Sequence, residues 1–229
     1  MKKYIPNLLT ICNLLCGCMA VFFGFRAIMD GKFDLPLYFI LLSAVFDFLD
    51  GFAARLLKAY SPIGKDLDSL ADMVSFGLAP SAILVAVIGS TQVQVPDFLP
   101  FVAFLIAVFS ALRLAKFNID DRQTDSFIGL AVPANTIFWA GLANSYSTQL
   151  AEFLIVIILL LALSCFLLVC KLPMFSLKFK HFGWKGNEFQ FILIICSAIL
   201  LIFLRLDAFA WIIVLYILLS VIKNIFTKK

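Results

Sequence analysis

Four aspartates, Asp47, Asp50, Asp68 and Asp72, interrupt otherwise apolar stretches, and their spacing forms one continuous pattern. Along the chain it reads Asp47-x-x-Asp50-Gly51-x-x-Ala54-Arg55, eight residues, then Gly64-x-x-x-Asp68-x-x-x-Asp72. Ionisable groups within apolar spans are expensive, and they mark functional sites by default. Residues three, four and seven apart share a helix face, so Asp47, Asp50, Gly51 and Ala54 point the same way. Two carboxylates then stand beside two residues with almost no side chain, which leaves a slot for a flat or bulky ligand. Asp68 and Asp72 share one face at the start of the next helix, and Ser75 continues it. The link from Leu56 to Lys65 is short, with Ser61-Pro62 as a turn signal and Gly64 permitting close backbone approach. Both acid pairs therefore converge near one membrane boundary.

Four facing carboxylates repel one another strongly, and divalent cations are the simplest compensation. All-oxygen ligation favours Mg²⁺ or Mn²⁺, or Ca²⁺ where the site is flexible. Two ions roughly 3.5 to 4 Å apart, bridged by shared carboxylates, would clamp a phosphoryl group during in-line displacement. Arg55, beside the cluster, suits a phosphate oxygen. The plainer alternative is that the acids pair with Arg55, Lys58 and Lys65 at a solvated boundary, which gives no role to the interposed Gly51, Ala54 and Gly64.

The elements that position these groups follow from composition. The chain has 229 residues, of which 63% are hydrophobic and 14% charged. Its mean hydropathy is +1.07. Soluble domains hold about 45–50% apolar residues, so this is a polytopic membrane protein. Charges fall in short intervals between apolar runs, leaving no room for a separate soluble domain of about 50 residues. Residues 1–229 are expected to form a single membrane domain, with 1–147 bearing the motifs and 148–229 supplying further helices. The six cysteines, Cys12, Cys16, Cys18, Cys165, Cys170 and Cys196, lie in apolar segments without Cys-x-x-Cys spacing and read as free, packed thiols. Met1-Lys2-Lys3 before an apolar run resembles a signal start, but Ile5 to Phe25 is too long for a signal core and reads as a retained span.

The expected fold is all-α, a helix bundle of about eight transmembrane segments. They lie near Ile5 to Phe25, Leu35 to Leu57, Asp66 to Ile88, Phe98 to Phe117, Ile128 to Tyr146, Ala151 to Cys170, Phe189 to Leu204 and Ala208 to Ile225. With the N-terminus inside, only Arg26, Lys32 and Arg205 of the 18 Lys and Arg residues fall outside. The cytoplasmic set then includes Lys2, Lys3, Arg55, Lys58, Lys65, Arg113, Lys116 and Arg122, and continues with Lys171, Lys178, Lys180, Lys185, Lys223, Lys228 and Lys229. That partition obeys the positive-inside rule and places both termini in the cytoplasm. The net charge of +4 belongs to this face and its anionic headgroups, not to nucleic acid. Ser176 to Gly186 alternates cations with aromatics, as suits an interfacial segment. His181 is the only histidine, which excludes a metal centre built from several.

On the acid motif the sequence resembles the CDP-alcohol phosphotransferase family, whose signature it matches at every position. The resemblance extends to Pro6-Asn7-x-x-Thr10-x-x-Asn13 and covers about the first 145 residues. It implies a six-helix core, a homodimer, and transfer of a phosphoalcohol from a CDP-linked donor with release of CMP. It further implies that Asp47, Asp50, Asp68 and Asp72 hold two metal ions and that Asp72 is the base. Gly51, Ala54, Arg55 and Gly64 would contact the CDP part, with Asp47 and Asp68 near the nucleotide.

Asp68 to Pro80, Arg113 to Asn118 and Gly129 to Ala134 resemble bacterial members that use L-serine. Lys116 stands where arginine is commoner and Ala131 where proline is commoner. The expected donor is CDP-diacylglycerol and the acceptor L-serine, in a bacterial cytoplasmic membrane with the site on the cytoplasmic face. Arg113 and Asn118, on a span end, are the candidates for holding serine, although a positive-inside anchor would also explain Arg113. Glycerol 3-phosphate is the competing acceptor. Intramembrane prenyltransferases also use Asp-rich sites but place them on well-separated helices. A divalent-cation transporter would spread its acids across membrane depth.

Overall fold

The computed structural model describes residues 4–91, 95–119, 127–176, 183, 184 and 186–227. The first helix, α1, spans Tyr4–Asp30 and ends at Gly31, whose φ of +66° provides a left-handed cap, its N–H reaching the Ala27 carbonyl at 2.9 Å. Asp34 opens α2 (Asp34–Leu56) and Arg55 closes it, each complementing the helix dipole. Helix α3 (Pro62–Asp72) begins with Pro62 behind Ser61, whose hydroxyl accepts from the Gly64 N–H at 3.0 Å.

From Asp72 the chain does not break but passes through a π-turn, Met73–Leu78, into α4 (Ala79–Gly89). The wider turn has a source in sequence. Pro80 has no N–H to offer the carbonyl four residues back, at Phe76. Thr136 supplies the missing donor from its hydroxyl at 2.6 Å.

A 3₁₀ turn at Leu99–Phe104 leads into α5 (Leu105–Ile119). Two short strands, β1 (Phe127–Ile128) and β2 (Pro173–Met174), pair antiparallel, with Phe127 opposite Met174. Between them lie α6 (Val132–Glu152), kinked at Tyr146, and α7 (Leu154–Val169). Helices α8 (Glu188–Leu204) and α9 (Ala208–Thr227) meet at a 3₁₀ turn, Arg205–Asp207, where Arg205 adopts φ +52°.

Helix α4 is the axis of the bundle, buried continuously from Ala79 to Ile88. Helix α1 packs on α2 and α4, α4 on α6, α6 on α9, and α9 on α8. Small residues set the α1–α4 approach, as is usual where lipid gives helices no hydrophobic reason to associate. A Cβ on Gly17 would overlap the Ser75 hydroxyl and lie 2.8 Å from the Ser75 Cα; one on Gly24 would lie 3.2 Å from the Ala82 Cβ. The outer surface is apolar, with Leu8, Leu15, Phe22, Val45, Phe48 and Phe166 all exposed. Such a surface suits hydrocarbon rather than water.

Among the described residues five stretches are long and apolar enough to cross a membrane: Tyr4–Asp30, Asp34–Leu56, Pro62–Gly89, Leu99–Ile119 and Glu188–Phe226. The last contains both α8 and α9, and α7 is a shorter apolar helix. The protein is therefore all-helical and multi-pass apart from the β1–β2 pair. Every stretch expected to be apolar and helical contains a helix. The fifth starts at Val132 rather than Ile128, because Gly129 has φ +76° and Pro133 suits a first helical turn. All six cysteines are free, as expected, but only Cys16 and Cys165 are buried and Cys18 is exposed, so they are not all core residues. Lys2, Lys3, Arg122, Lys178, Lys180, His181, Lys185, Lys228 and Lys229 lie outside the described residues, and with them most of the cation–aromatic segment.

Candidate active site

One face of α1 organises the site. Pro6, Thr10, Asn13 and Gly17 are its buried residues on the acid side, at intervals of three and four. Thr10 Oγ1 donates to Asp50 Oδ2 at 2.6 Å, a charge-assisted bond, and lies 3.1 Å from the Pro6 carbonyl. Asn13 Nδ2 donates to Asp72 Oδ1 at 3.2 Å. The Asn13 amide is itself oriented by Ser43, whose hydroxyl donates to Asn13 Oδ1. Ser75, just past Asp72, donates to the Asn13 carbonyl at 3.1 Å. Helices α1, α2 and the π-turn are thus tied together at Asn13.

Asp47, Asp50 and Asp68 each bring one carboxylate oxygen to within 4.8 Å of the others. Asp50 is 5% exposed, and Asp47 and Asp68 are half-buried. Asp68 Oδ1 is buried without a hydrogen-bond partner. None of the four aspartates is ion-paired with Arg55, Lys58 or Lys65 among the described residues. Three converging carboxylates, one oxygen unsatisfied and no ion pair formed to any of them among the described residues, fit a hard divalent ion. The simple surface-pairing alternative predicts those missing salt bridges. Asp72 stands outside this trio, though within electrostatic range of Asp47, Asp68 and Asp50. It is held by Asn13 at the junction of α3 with the π-turn, where local helix geometry sets its direction.

Beside the trio opens a cleft of about 240 Å³ lined by Asp50, Gly51, Ala54, Arg55, Gly64 and Asp68, with Asn7, Tyr60 and Lys65 at its edges. A Cβ on Gly51 would meet nothing within 4 Å, so this glycine keeps space open. Gly64 is different: its Cβ would lie 2.9 Å from Ser61 Oγ and 3.0 Å from Asn7 Oδ1. There the missing side chain lets α3 close on α1. Asp47 does not line the cleft and belongs to the carboxylate trio alone.

Arg113 and Asn118 take separate positions. Arg113 is 6% exposed, donates from Nε to the Leu130 carbonyl at 3.3 Å and sits over the Phe117 ring at 4.9 Å. It lies within electrostatic range of Asp72 and of Tyr216 on α9. Asn118 is exposed and donates to Ser69 Oγ at 2.8 Å, while its carbonyl accepts from Lys65 Nζ at 3.1 Å. It therefore ties the end of α5 to α3. Tyr216, whose hydroxyl donates to the Phe175 carbonyl at 2.9 Å, has no motif in sequence to announce it. Thr10 and Asn13 did carry a signal, their three-residue spacing along α1, without a role attached.

Comparison with known proteins agrees with this arrangement. A curated relative from Helicobacter pylori (strain 26695), named CDP-diacylglycerol–serine O-phosphatidyltransferase, is 31% identical over 96% of this chain and 91% of its own length. A protein of the same name from Bacillus subtilis is 38% identical over 57% of this chain and 70% of its own. The archaetidylserine synthase of Methanothermobacter thermautotrophicus is 31% identical over 70% and 67% respectively. The sequence profile of the CDP-alcohol phosphatidyltransferases matches residues 3–177, which takes in the acid trio, Asp72, the cleft and Arg113. With more than half its length matched, and the matched part containing the whole site, the chain belongs to the CDP-alcohol phosphatidyltransferase family.

Proposed function

We propose that this protein transfers the phosphatidyl group of CDP-diacylglycerol to the hydroxyl of L-serine, giving phosphatidylserine and CMP. The observation that carries the reading is the continuity between the cleft lined by Gly51, Ala54, Arg55 and Gly64 and the carboxylate trio, two of whose members, Asp50 and Asp68, also line it. Relatives named for serine transfer supply the acceptor.

In this reading Gly51 and Ala54 admit the cytidine, Arg55 pairs with a diphosphate oxygen, and Gly64 keeps α3 against α1. Asp47, Asp50, Asp68 and Asp72 would hold two divalent cations, Mg²⁺ or Mn²⁺, with Ca²⁺ as a possible occupant. When bound, they supply charge neutralisation to the diphosphate and the departing CMP. Asp72 accepts the proton of the serine hydroxyl as its oxygen bonds to the phosphatidyl phosphorus. The bond from that phosphorus to the CMP oxygen breaks, and CMP leaves with the electron pair. Asn13 keeps Asp72 aimed through the exchange, and Thr10 does the same for Asp50. Arg113 receives the serine carboxylate near Asp72. No histidine lies near the motif to carry a phosphatidyl intermediate, which favours single displacement.

The same reading takes the chain as one membrane domain of eight spans with both termini cytoplasmic, as a homodimer in a bacterial cytoplasmic membrane. Residues 1–147 carry the catalytic groups and 148–229 supply the remaining helices. Arg55 and Lys65 line the cleft with the positive charge expected of an inner face. The lipid tails of the donor would enter from the bilayer while serine arrives from the cytosol.

The deciding experiment is CMP release by the purified protein with CDP-diacylglycerol, Mn²⁺ or Mg²⁺, and serine or glycerol 3-phosphate in turn. Release that depends on serine and vanishes in Asp72→Asn supports the proposal. Release that depends on glycerol 3-phosphate instead overturns the acceptor, and absence of release with either overturns the reaction.

A further inference from the structure

Away from the acid cluster, α6 is flanked by α7 and α9, and the three enclose a groove of about 290 Å³. Asn135 and Phe138 on α6 contribute to it, with Leu163 and Leu167 on α7 and Ile217 and Leu218 on α9 among its other residues. It opens on the lipid-facing surface, since Leu163 is 51% and Leu218 54% exposed. Every lining side chain is apolar except Asn135 and Ser164, and none is titratable. The Ser164 hydroxyl is engaged by Trp139 Nε1 at 3.0 Å. Asn135 is 0% exposed, and neither Nδ2 nor Oδ1 has a hydrogen-bond partner among the described residues. A buried amide with both ends unsatisfied is costly enough to need a partner from elsewhere.

We infer that this groove binds one long-chain fatty acid as the protonated acid, its carboxyl group paired with the Asn135 side-chain amide. The bilayer and the amide together select the occupant. The groove opens on lipid, which supplies lone hydrocarbon chains. The amide then specifies the head: Nδ2 requires an acceptor and Oδ1 a donor, side by side. A protonated carboxyl offers both on one carbon, the C=O receiving from Nδ2 and the O–H donating to Oδ1. An ester carbonyl offers only the acceptor, and an ionised carboxylate would set negative oxygen against Oδ1 in an apolar slot.

The test is equilibrium binding of radiolabelled oleic acid and methyl oleate to the purified full-length protein in detergent. Expected is saturable uptake of one oleic acid per chain, with methyl oleate weaker by about tenfold for its lost hydrogen bond. Asn135→Leu should abolish that preference, and binding of the acid should fall as rising pH ionises the free ligand. Leu163→Trp, on the exposed rim, should block both ligands while leaving thermal stability unchanged; it decides the matter if Asn135→Leu fails to fold. Equal binding of acid and ester, binding indifferent to both substitutions, or no saturable binding at all would each overturn the inference. In the last case a bridging water satisfies the amide.

Discussion

Thr136 donates its hydroxyl to the Phe76 carbonyl at 2.6 Å, across from α6 to the π-turn that follows Asp72. That carbonyl is the one Pro80 leaves without an intrahelical donor, so a side chain on one helix completes the backbone of another. Thr136→Val keeps the shape and removes the donor, stranding a buried acceptor at a cost of about 1–3 kcal/mol. A lower Tm is expected, together with reduced CMP release, because the strain falls one turn from Asp72. Thr136→Ser should restore both, and equal stability of the valine variant would show that the π-turn does not depend on this bond.

Thr10 makes the corresponding contact to the acid trio, 2.6 Å from Asp50. Removing a group that orients a metal ligand typically lowers metal affinity or activity by about 10–100-fold. Thr10→Val should therefore raise the Mn²⁺ concentration needed for half-maximal CMP release, with Thr10→Ser close to the parent. A metal requirement identical in all three proteins would remove Thr10 from the site.

How much of this was legible beforehand differs between parts of the molecule. The helices were readable because apolar runs bounded by charge leave few alternatives, and the acid motif because each carboxylate in such a run is an anomaly. The α1 contribution was half-visible: Thr10 and Asn13 stand out by spacing, but nothing local says that Asn13 reaches Asp72, 59 positions away. The π-turn was hidden because Pro80 only removes a donor, and where the freed carbonyl turns depends on Thr136, which the sequence places 60 residues from Phe76. Tyr216 was invisible for the same reason, its partners Phe175 and Arg113 being brought near only by tertiary packing.

Gly17 tests the packing that these contacts presuppose. A Cβ there would strike Ser75, whose Cα is 2.8 Å from the ideal position, and backbone cannot rotate away. Gly17→Ala should separate α1 from the π-turn at a cost of about 1–3 kcal/mol. It should also loosen the Ser75 bond to the Asn13 carbonyl. Thermal unfolding in detergent measures the first effect. Gly51→Ala, with nothing within 4 Å of its added Cβ, should leave stability unchanged and weaken only CDP-diacylglycerol binding.

Asn13→Leu separates positioning of Asp72 from substrate binding. The amide neither lines the cleft beside the acids nor belongs to the carboxylate trio, so the KM for CDP-diacylglycerol should change little. Without the 3.2 Å bond the Asp72 carboxylate loses its fixed direction, and kcat should fall by about 10-fold or more. A rise in KM at constant kcat would instead place Asn13 in donor recognition.

Arg113 offers the sharpest test of the acceptor assignment because its charge and its hydrogen bond can be separated. Its Nε secures the Leu130 carbonyl at 3.3 Å, which anchors the entrance to α6, while its charge lies within range of Asp72. Arg113→Lys keeps a cation but loses the planar fork, so it should weaken serine binding less than Arg113→Ala does. For the alanine variant the serine KM should rise by about 10-fold or more, the loss of one charge-assisted contact, with the KM for CDP-diacylglycerol nearly constant. Asn118→Ala serves as contrast: Asn118 is exposed and bonded to Ser69, so its loss should leave the serine KM unchanged. If Arg113→Ala remains folded and its serine KM equals the parent's, Arg113 only anchors the bundle and serine is held elsewhere.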